Sequence, residues 1–288
     1  MDFKNGKELL ALCQEHQAPI SEIMRRRECQ EGDASLGTVW RRIERVWEIM
    51  KDSALRPIIS PERSMGGLIG GEARKLALHR SEKKAICGSV LSKAITYSMA
   101  VLEVNASMGL IVAAPTAGAS GILPGLLLAL QEEYQIPDSR VLDGLMTAGA
   151  VGYLAMRNAV VAGAVAGCQA EVGVASAMAA AAAVELMGGT PQQSLDAAST
   201  VLMNMLGLVC DPVGGLVEYP CQVRNAAGAA NALTAAELAL SGVPQLIPFD
   251  EMLETMYSVG KKIPAELRET ALAGCAATPT GCALCQRG

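Results

Sequence analysis

A stretch of 26 residues, 105–130, carries no charged side chain. Segments of this kind are buried, either in a protein core or in a lipid bilayer. The stretch contains Pro115, Pro124 and four glycines, which would break a helix exposed to lipid. A second apolar stretch, 159–184, is interrupted by Glu171, and a carboxylate at that depth is costly in a bilayer. The sequence therefore predicts a soluble protein with deeply buried helices, and a membrane helix bundle is the alternative.

The composition restricts the core to alanine, valine, leucine and methionine. Hydrophobic residues make up 51% of the chain, but aromatic residues make up only 3%. Alanine and leucine favour helices, and small side chains let helices approach closely. Val39, Ile43 and Val46 recur at helical spacing, whereas alternating strand-like runs are nearly absent. We therefore expect an all-α fold, a compact bundle of Ala- and Gly-rich helices with buried Gly-rich loops.

Prolines and capping residues predict several element boundaries. Pro57 and Pro61 indicate an extended segment after the helix that contains Val39. Asp138 indicates the cap of a later helix. Thr190, followed by proline and then Gln193, has the pattern of a capping box and predicts a helix start.

The sequence also limits the organisation and the class of function. Without an internal repeat or a low-complexity linker, we expect one all-α domain over 1–274 and a Cys-rich tail over 275–288. A net charge of −5 without a basic patch argues against nucleic acid as a partner. Residues 1–10 lack the apolar core of a signal peptide, so we expect a cytoplasmic protein. In that reducing compartment, nine cysteines indicate metal binding or redox chemistry rather than disulfides.

Three cysteines stand in polar, glycine-flanked settings, namely Cys168, Cys210 and Cys221. Their wide and unequal spacing resembles neither a zinc ribbon nor a ferredoxin run. From the spacing alone, they are either metal ligands or ordinary buried cysteines. The number of ligands matters for chemistry, because three thiolates on a four-iron cluster leave one iron open as a Lewis acid.

Two Gly-rich loops, 64–71 and 114–121, can present backbone N–H groups to an anion such as a small carboxylate. Close helix packing is the alternative use of these glycines. The chain has no P-loop motif, and its two histidines make histidine-based catalysis a poor candidate. Lys75 is a candidate base for a Cα proton, and a solvated helix lysine is the alternative.

At these residues the chain resembles the α subunit, or catalytic domain, of the iron–sulfur-dependent L-serine dehydratases. The resemblance covers almost the whole chain and is far more specific than any single loop. It rests on the segments 64–71 with Lys75, 105–118, 167–173, 210–215 and 219–225.

The resemblance implies an all-α domain that holds a [4Fe–4S] cluster on Cys168, Cys210 and Cys221 and uses no pyridoxal phosphate. It implies that a small amino acid, L-serine, is deaminated to pyruvate and ammonia. The expected substrate-binding residues are Ser64, Gly66, Asn105, Ser107, Thr116, Ala117 and Gly118. The base is left open, with Lys75 as the candidate.

The resemblance also bears on partners and on the tail. A chain of this length has room only for the catalytic part, so a separate β subunit is expected, with homo-oligomerisation as an addition or alternative. In single-chain members a C-terminal cysteine can reach the open iron at rest. Cys282 or Cys285 would be that displaceable fourth ligand here, and incidental thiols on a mobile tail are the alternative.

Two other functions stay open from the sequence. A lyase of the same type could act on L-threonine or L-cysteine, because a single methylene is worth only about 1–3 kcal/mol in a pocket. The chain could also be a non-catalytic iron–sulfur regulatory or assembly protein.

Overall fold

The computed structural model describes residues 1–285, and of Cys285 only the backbone. Over these residues the chain forms 13 α-helices and no β-strand, so the all-α prediction is confirmed. The helices are α1 (Gly6–His16), α2 (Ile20–Glu31), α3 (Leu36–Ile59), α4 (Glu72–Ser81), α5 (Gly88–Ala106), α6 (Ile122–Tyr134), α7 (Asp138–Asn158), α8 (Gly163–Ala166), α9 (Val174–Leu186), α10 (Pro191–Asn204), α11 (Cys221–Leu240), α12 (Phe249–Gly260) and α13 (Pro279–Cys285).

Helix α9 lies at the centre of the bundle, and every residue from 174 to 185 is buried. It packs against α6, α7, α10 and α11. Alanine fills most of its positions, and this short side chain lets helices approach on several sides. The apolar stretch 159–184 is therefore used mainly to build the protein core.

Between residues 1 and 285, we find no helix with both the length and the apolar character that a bilayer crossing requires.

The uncharged stretch 105–130 leads into α6, whose residues 122–130 are all buried. Glycine brings α6 unusually close to α5. A Cβ added at Gly125 would lie 2.7 Å from the backbone nitrogen of Ser98 and 2.9 Å from the carbonyl oxygen of Ala94. The glycines of this stretch therefore serve close helix packing, as well as the loop that precedes α6.

Pro57 differs from its predicted role in an extended segment, because α3 continues through it to Ile59. A proline in a helix removes one backbone hydrogen bond and crowds the preceding turn. Here the lost bond is the one to the carbonyl of Ser53, but only two helical residues follow Pro57, so little of the helix is disturbed, and its ring is buried. Burial against the core thus outweighs the local preference of proline.

Asp138 is the first residue of α7 rather than its cap, which is Pro137. Its carboxylate instead accepts hydrogen bonds from the Trp47 indole at 3.2 Å and from Gln131 at 2.6 Å. Asp138 therefore ties α3 and the end of α6 to the start of α7.

The capping box at the start of α10 is present as predicted. The Thr190 hydroxyl accepts from the backbone N–H of Gln193, and the Gln193 side chain accepts from the backbone N–H of Thr190.

The C-terminal segment forms a short 3₁₀ turn, Gly274–Ala277, and then α13. Both pack against another 3₁₀ turn, Val213–Gly215, which follows Cys210 in the chain. The predicted division between a domain ending at residue 274 and a tail stays a prediction.

We expect Gly125→Ala to lower the free energy of unfolding by about 1–3 kcal/mol, because the new methyl group must push α5 and α6 apart. Helix propensity alone predicts the opposite sign, a gain of up to about 1 kcal/mol. Urea unfolding followed by circular dichroism measures the difference. Gly37→Ala is the matched control, since Gly37 is a helical glycine with only the end of the Arg41 side chain near its would-be Cβ. Equal stabilisation by both substitutions would contradict the close packing.

Candidate metal centre and active site

Two of the three predicted cysteines lie together around a carboxylate. The thiols of Cys168 and Cys210 both donate to Oε2 of Glu171, at 3.9 and 3.8 Å. Their sulfur atoms and the carboxylate oxygen all lie within 4.8 Å of one another, as the ligands of a metal ion would. Both cysteines are buried, with 3% and 2% of their surface exposed. The geometry therefore joins residues that are far apart in the sequence into one candidate metal-binding group.

Cys168 is held at a break in helical geometry. Gly167 has a positive φ of 74°, which ends α8. The π-helical turn Gln169–Gly173 follows and leads into α9. The side chain of Gln169 donates to the carbonyl of Met256 at 2.8 Å and accepts from the N–H of Gly207 at 2.9 Å. Turns of the π type are frequent at functional sites. This one brings the thiol of Cys168 and the carboxylate of Glu171 together on one side of the turn.

Cys210 is held by its backbone. Its N–H donates to the carbonyl of Leu267 at 2.8 Å, and its carbonyl accepts from the N–H of Glu269 at 2.7 Å. The segment after α12 thus fixes the position of this thiol. The hydrogen bond with Cys168 and burial raise the pKa of the Cys210 thiol.

Cys221 is the first residue of α11. It is 8% exposed, and Arg224, one turn later, contacts the sulfur of Cys168 at 3.7 Å. Burial raises the pKa of the Cys221 thiol to about 12, and negative charge at Cys168 and Glu171 is the next cause.

Glu171 occupies the space that a side chain at residue 163 would need. A Cβ at Gly163 would collide with the Glu171 carboxylate and lie 3.1 Å from the sulfur of Cys210. Burial raises the pKa of Glu171, with negative charge at Glu269 as a further cause. The site therefore holds a poorly solvated carboxylate beside two thiols.

Arg224 brings positive charge to this group. One of its nitrogens is 2.7 Å from Oδ1 of Asp211, in a largely buried ion pair. Another donates to the carbonyl of Val209 at 2.9 Å. The guanidinium is thus fixed beside the sulfur of Cys168 and can offset negative charge there.

The loop 114–121 is next to the group formed by Cys168, Cys210 and Glu171, which will be called the cysteine group. A Cβ at Gly118 would lie 3.7 Å from Oε1 of Glu171. The side chain of Asn225 accepts from the N–H of Gly121 at 3.0 Å and donates to the carbonyl of Gly118 at 2.7 Å, so α11 holds the loop in place. Oγ1 of Thr116 is buried and makes no hydrogen bond of standard geometry within the described part of the chain. Thr116 nevertheless lies close enough to Glu171 for its hydroxyl to lower the pKa of that carboxyl, against the effect of burial. A buried hydroxyl with so weak a bond is available to a ligand.

The loop 64–71 binds a carboxylate of the chain itself. The Ser64 hydroxyl and the N–H of Leu68 donate to Oε2 of Glu218, at 2.7 and 2.9 Å. The N–H of Gly66 donates to Oε1 of Glu218 at 2.6 Å. A substrate carboxylate could use these donors only by displacing Glu218.

The end of the same loop holds a second internal carboxylate. The N–H groups of Gly71 and Ala73 donate to Glu103, at 3.0 and 2.9 Å. The backbone N–H donors at both ends of this loop are therefore occupied by glutamates, and its glycines also serve close packing.

The other predicted residues lie at the edge of this loop. Ser107 donates to Glu62 at 3.0 Å, and Asn105 lies in the last turn of α5 and is half-buried. Lys75 lies on α4 with 76% of its side chain exposed, and it pairs with Glu72 at 3.4 Å. Its geometry matches a solvated helix lysine, which is the alternative that the sequence left open, while its role as base stays a prediction.

The tail is anchored beside the cysteines. The N–H of Cys275 donates to Oδ2 of Asp211 at 2.6 Å. Cys282 is exposed, and its thiol donates to the carbonyl of Ala276 at 3.5 Å, while its role as a fourth ligand stays a prediction. The side chain of Cys285 lies outside the described residues, and its predicted role as a fourth ligand stays a prediction.

Several residues of this site were absent from the predicted set, namely Glu171, Asp211, Glu218, Gln222, Arg224 and Asn225. The available signal was their position, since each lies within four residues of one of the three cysteines. Charged and amide side chains so close to buried cysteines must find partners in the core. The partners themselves, such as the loop 64–71 for Glu218, come from distant segments.

The fold and site define an all-α protein with buried thiols and carboxylates arranged as a candidate metal centre. A family model described as serine dehydratase alpha chain matches residues 15–276. The chain belongs to this family.

Curated relatives agree with the match. A probable L-serine dehydratase alpha chain of Bacillus subtilis is 44% identical over 97% of this chain and 93% of the relative. An L-serine dehydratase alpha chain of Peptoniphilus asaccharolyticus is 42% identical over 97% of this chain and 96% of the relative. An L-serine dehydratase of Helicobacter pylori is 39% identical over 96% of this chain but only 62% of the relative, which is longer.

In the protein without bound metal, we expect iodoacetamide at pH 8 to modify Cys87, which is exposed, and to spare Cys221. Cys221 is buried and its pKa is about 12, so about one thiol in ten thousand is the reactive thiolate at pH 8. Labelling of Cys221 should rise with pH as that fraction grows. Peptide mass spectrometry after timed quenching measures both rates. Equal rates at Cys87 and Cys221 would contradict the buried position of Cys221.

Proposed function

We propose that the chain is the catalytic subunit of an iron–sulfur-dependent L-serine dehydratase, which deaminates L-serine to pyruvate and ammonia. The observation that carries the proposal is the meeting of buried cysteines from separate elements at Glu171, in a chain of the serine dehydratase alpha chain family. Neither the fold nor the family alone identifies the cofactor.

The donor chemistry of the site fits an iron–sulfur cluster. Cys168, Cys210 and Cys221 would hold it, since thiolate is the ligand that such clusters take in proteins. The three thiols are buried, with Arg224 positioned to offset the negative charge of bound thiolates. When bound, a [4Fe–4S] cluster on three thiolates supplies a Lewis-acidic iron to the departing β-hydroxyl of serine.

The loop 114–121 is our choice for the substrate carboxylate. Its Thr116 hydroxyl is buried and makes no hydrogen bond of standard geometry within the described residues, and Gly118 allows close approach beside Glu171. The donors of the other predicted loop at Ser64 and Gly66 are already bound to Glu218. Asn225 fixes the loop 114–121 to α11, so the anchor would keep a constant position relative to Cys221.

The reaction needs the Cα proton and the β-hydroxyl of serine to leave. The resulting aminoacrylate tautomerises to an imine, which hydrolyses to pyruvate and ammonia. The chain's own residues would orient the amino acid by its carboxylate at Thr116 and exclude bulk water by burial. Burial also strengthens the electrostatic interactions of Glu171 and Arg224 with charges in the site.

A separate β subunit is part of the proposal. This chain covers 93% and 96% of two relatives named alpha chains, whereas it covers only 62% of the longer relative from Helicobacter pylori. We propose that a separate chain supplies here what the longer relatives carry in one polypeptide.

Anaerobically purified protein, assayed with and without a candidate β subunit, should form pyruvate from L-serine and lose that activity in air. Steady-state comparison with L-threonine and L-cysteine gives the substrate preference. A higher kcat/KM for either amino acid than for L-serine would make it the preferred substrate in place of L-serine. Full activity in air with an iron chelator present would contradict the cluster. A cluster-containing protein with no turnover of the three amino acids, even with the β subunit, would favour a regulatory or assembly role.

Substitution of each proposed ligand should remove the cluster. We expect Cys168→Ala, Cys210→Ala and Cys221→Ala each to abolish visible absorbance and bound iron, because the two remaining thiolates hold the cluster too weakly. Cys87→Ala is the matched control, and Cys285→Ala tests the tail. Both should keep the cluster. Loss of iron from Cys285→Ala, with retention in Cys210→Ala, would mean that the ligand set is wrong.

A further inference from the structure

Glu218 is the common partner of three donors from one loop. The Ser64 hydroxyl and the N–H groups of Gly66 and Leu68 all bind its carboxylate. The Ser64 oxygen in turn accepts from the N–H of Ile69 at 3.2 Å. Glu218 itself is 2% exposed. The loop 64–69 is thus built around a side chain that lies three residues before Cys221.

The segment that contains Glu218, residues 211–220, joins Cys210 to Cys221 and will be called the connecting segment. It closes on itself through the N–H of Val213, which donates to the carbonyl of Tyr219 at 2.8 Å. Leu216 lies against Gly66, and Val217 would be 3.3 Å from a Cβ at Gly118. Both Gly-rich loops therefore contact this segment, the loop 64–71 at Leu216 and the loop 114–121 at Val217.

We propose that Glu218 is a positioning residue for Cys221. Its carboxylate fixes the connecting segment to the loop 64–69, and this holds the Cys221 thiol at the cysteine group. The inference rests on the proposed function in one respect, that Cys221 is a cluster ligand. It gives the loop 64–69 a role in cluster retention in place of substrate binding.

The alternative is that Glu218 occupies a substrate site and leaves it when serine binds. The contacts argue against this. A Cβ at Gly66 would lie 2.8 Å from Oε1 of Glu218, and Leu216 covers the same glycine, so the loop is closely fitted to its present occupant. Three donors to one buried carboxylate also make its removal costly.

Glu218→Gln tests the proposal, because an amide keeps the shape but has one acceptor oxygen in place of two. One of the donors at Ser64, Gly66 or Leu68 would then face an NH₂ group. We expect loss of cluster iron to a chelator under anaerobic conditions to become about tenfold faster, as for other residues that orient metal ligands. The KM for serine, measured on the cluster-loaded fraction, should not change.

Glu185→Gln is the matched control. Glu185 is also a buried carboxylate that accepts from a backbone N–H, that of Ser21 at 3.3 Å, but it lies at the far end of α9 from Glu171. It should release iron at the wild-type rate even if it unfolds at a lower temperature. Equal iron loss from both variants, or the wild-type rate in Glu218→Gln, would overturn the proposal. A lower serine KM in Glu218→Gln would overturn it in favour of a displaced substrate site.

Ser64 provides a second test if Glu218→Gln does not fold. Ser64→Ala removes one donor and should speed iron loss, whereas Ser64→Thr keeps the hydroxyl and should restore retention towards the wild-type value. Failure of Ser64→Thr to differ from Ser64→Ala would count against the hydrogen bond as the cause.

A readout without the cluster separates this inference from the proposed function. In cluster-free protein, alkylation of Cys221 should be about tenfold faster in Glu218→Gln than in wild type or Glu185→Gln, because the thiol is no longer held in its buried position. If the wild type binds no cluster, the proposed function fails and this labelling alone decides the role of Glu218. Unchanged labelling of Cys221 would overturn that role.

Discussion

Buried carboxylates bound by backbone N–H groups are the interaction on which the loops of this protein depend. A carboxylate removed from water must be compensated by hydrogen bonds, and a peptide N–H from a distant segment can supply one. Each such pair therefore fixes two distant segments of the chain to each other. The examples are Glu103 with Gly71 and Ala73, Glu185 with Ser21, Asp211 with Cys275, and Glu218 with Gly66 and Leu68. Two of the four, Asp211 and Glu218, lie next to the candidate ligands.

The helical frame and the polar site have different physical origins. The frame is formed by alanine and glycine, which let α9 contact four other helices and let α6 approach α5 closely. The site is formed where helices end: Cys168 precedes the π-helical turn, Cys210 follows α10, and Cys221 begins α11. Helix ends leave backbone groups free to bind polar partners, so polar chemistry can enter an apolar core there.

Local signals predicted the frame well. Composition and the near absence of strand-like runs indicated the all-α fold, and the capping box at Thr190 depends only on residues close in sequence. Pro57 shows the limit of such signals, because its burial depends on helices that pack from elsewhere. The resemblance supplied the ligand set, whereas the meeting of Cys168 with Cys210 at Glu171 could not be derived from their spacing. The hydrogen bonds from the loop 64–69 to Glu218 could not be predicted from the sequence either, since the two segments are far apart in the chain.

The first turn of α11 concentrates contacts to several parts of the site. Cys221 is a candidate ligand, Gln222 donates to Glu103, Arg224 pairs with Asp211, and Asn225 holds the loop at Gly118. Each residue added to a helix rotates all later residues of that helix by about 100° around its axis. An insertion or deletion within this turn would therefore rotate all the later side chains away from their partners together. Over evolution this turn can change by substitution but not in length, and among homologous chains it should serve as a fixed reference point for alignment.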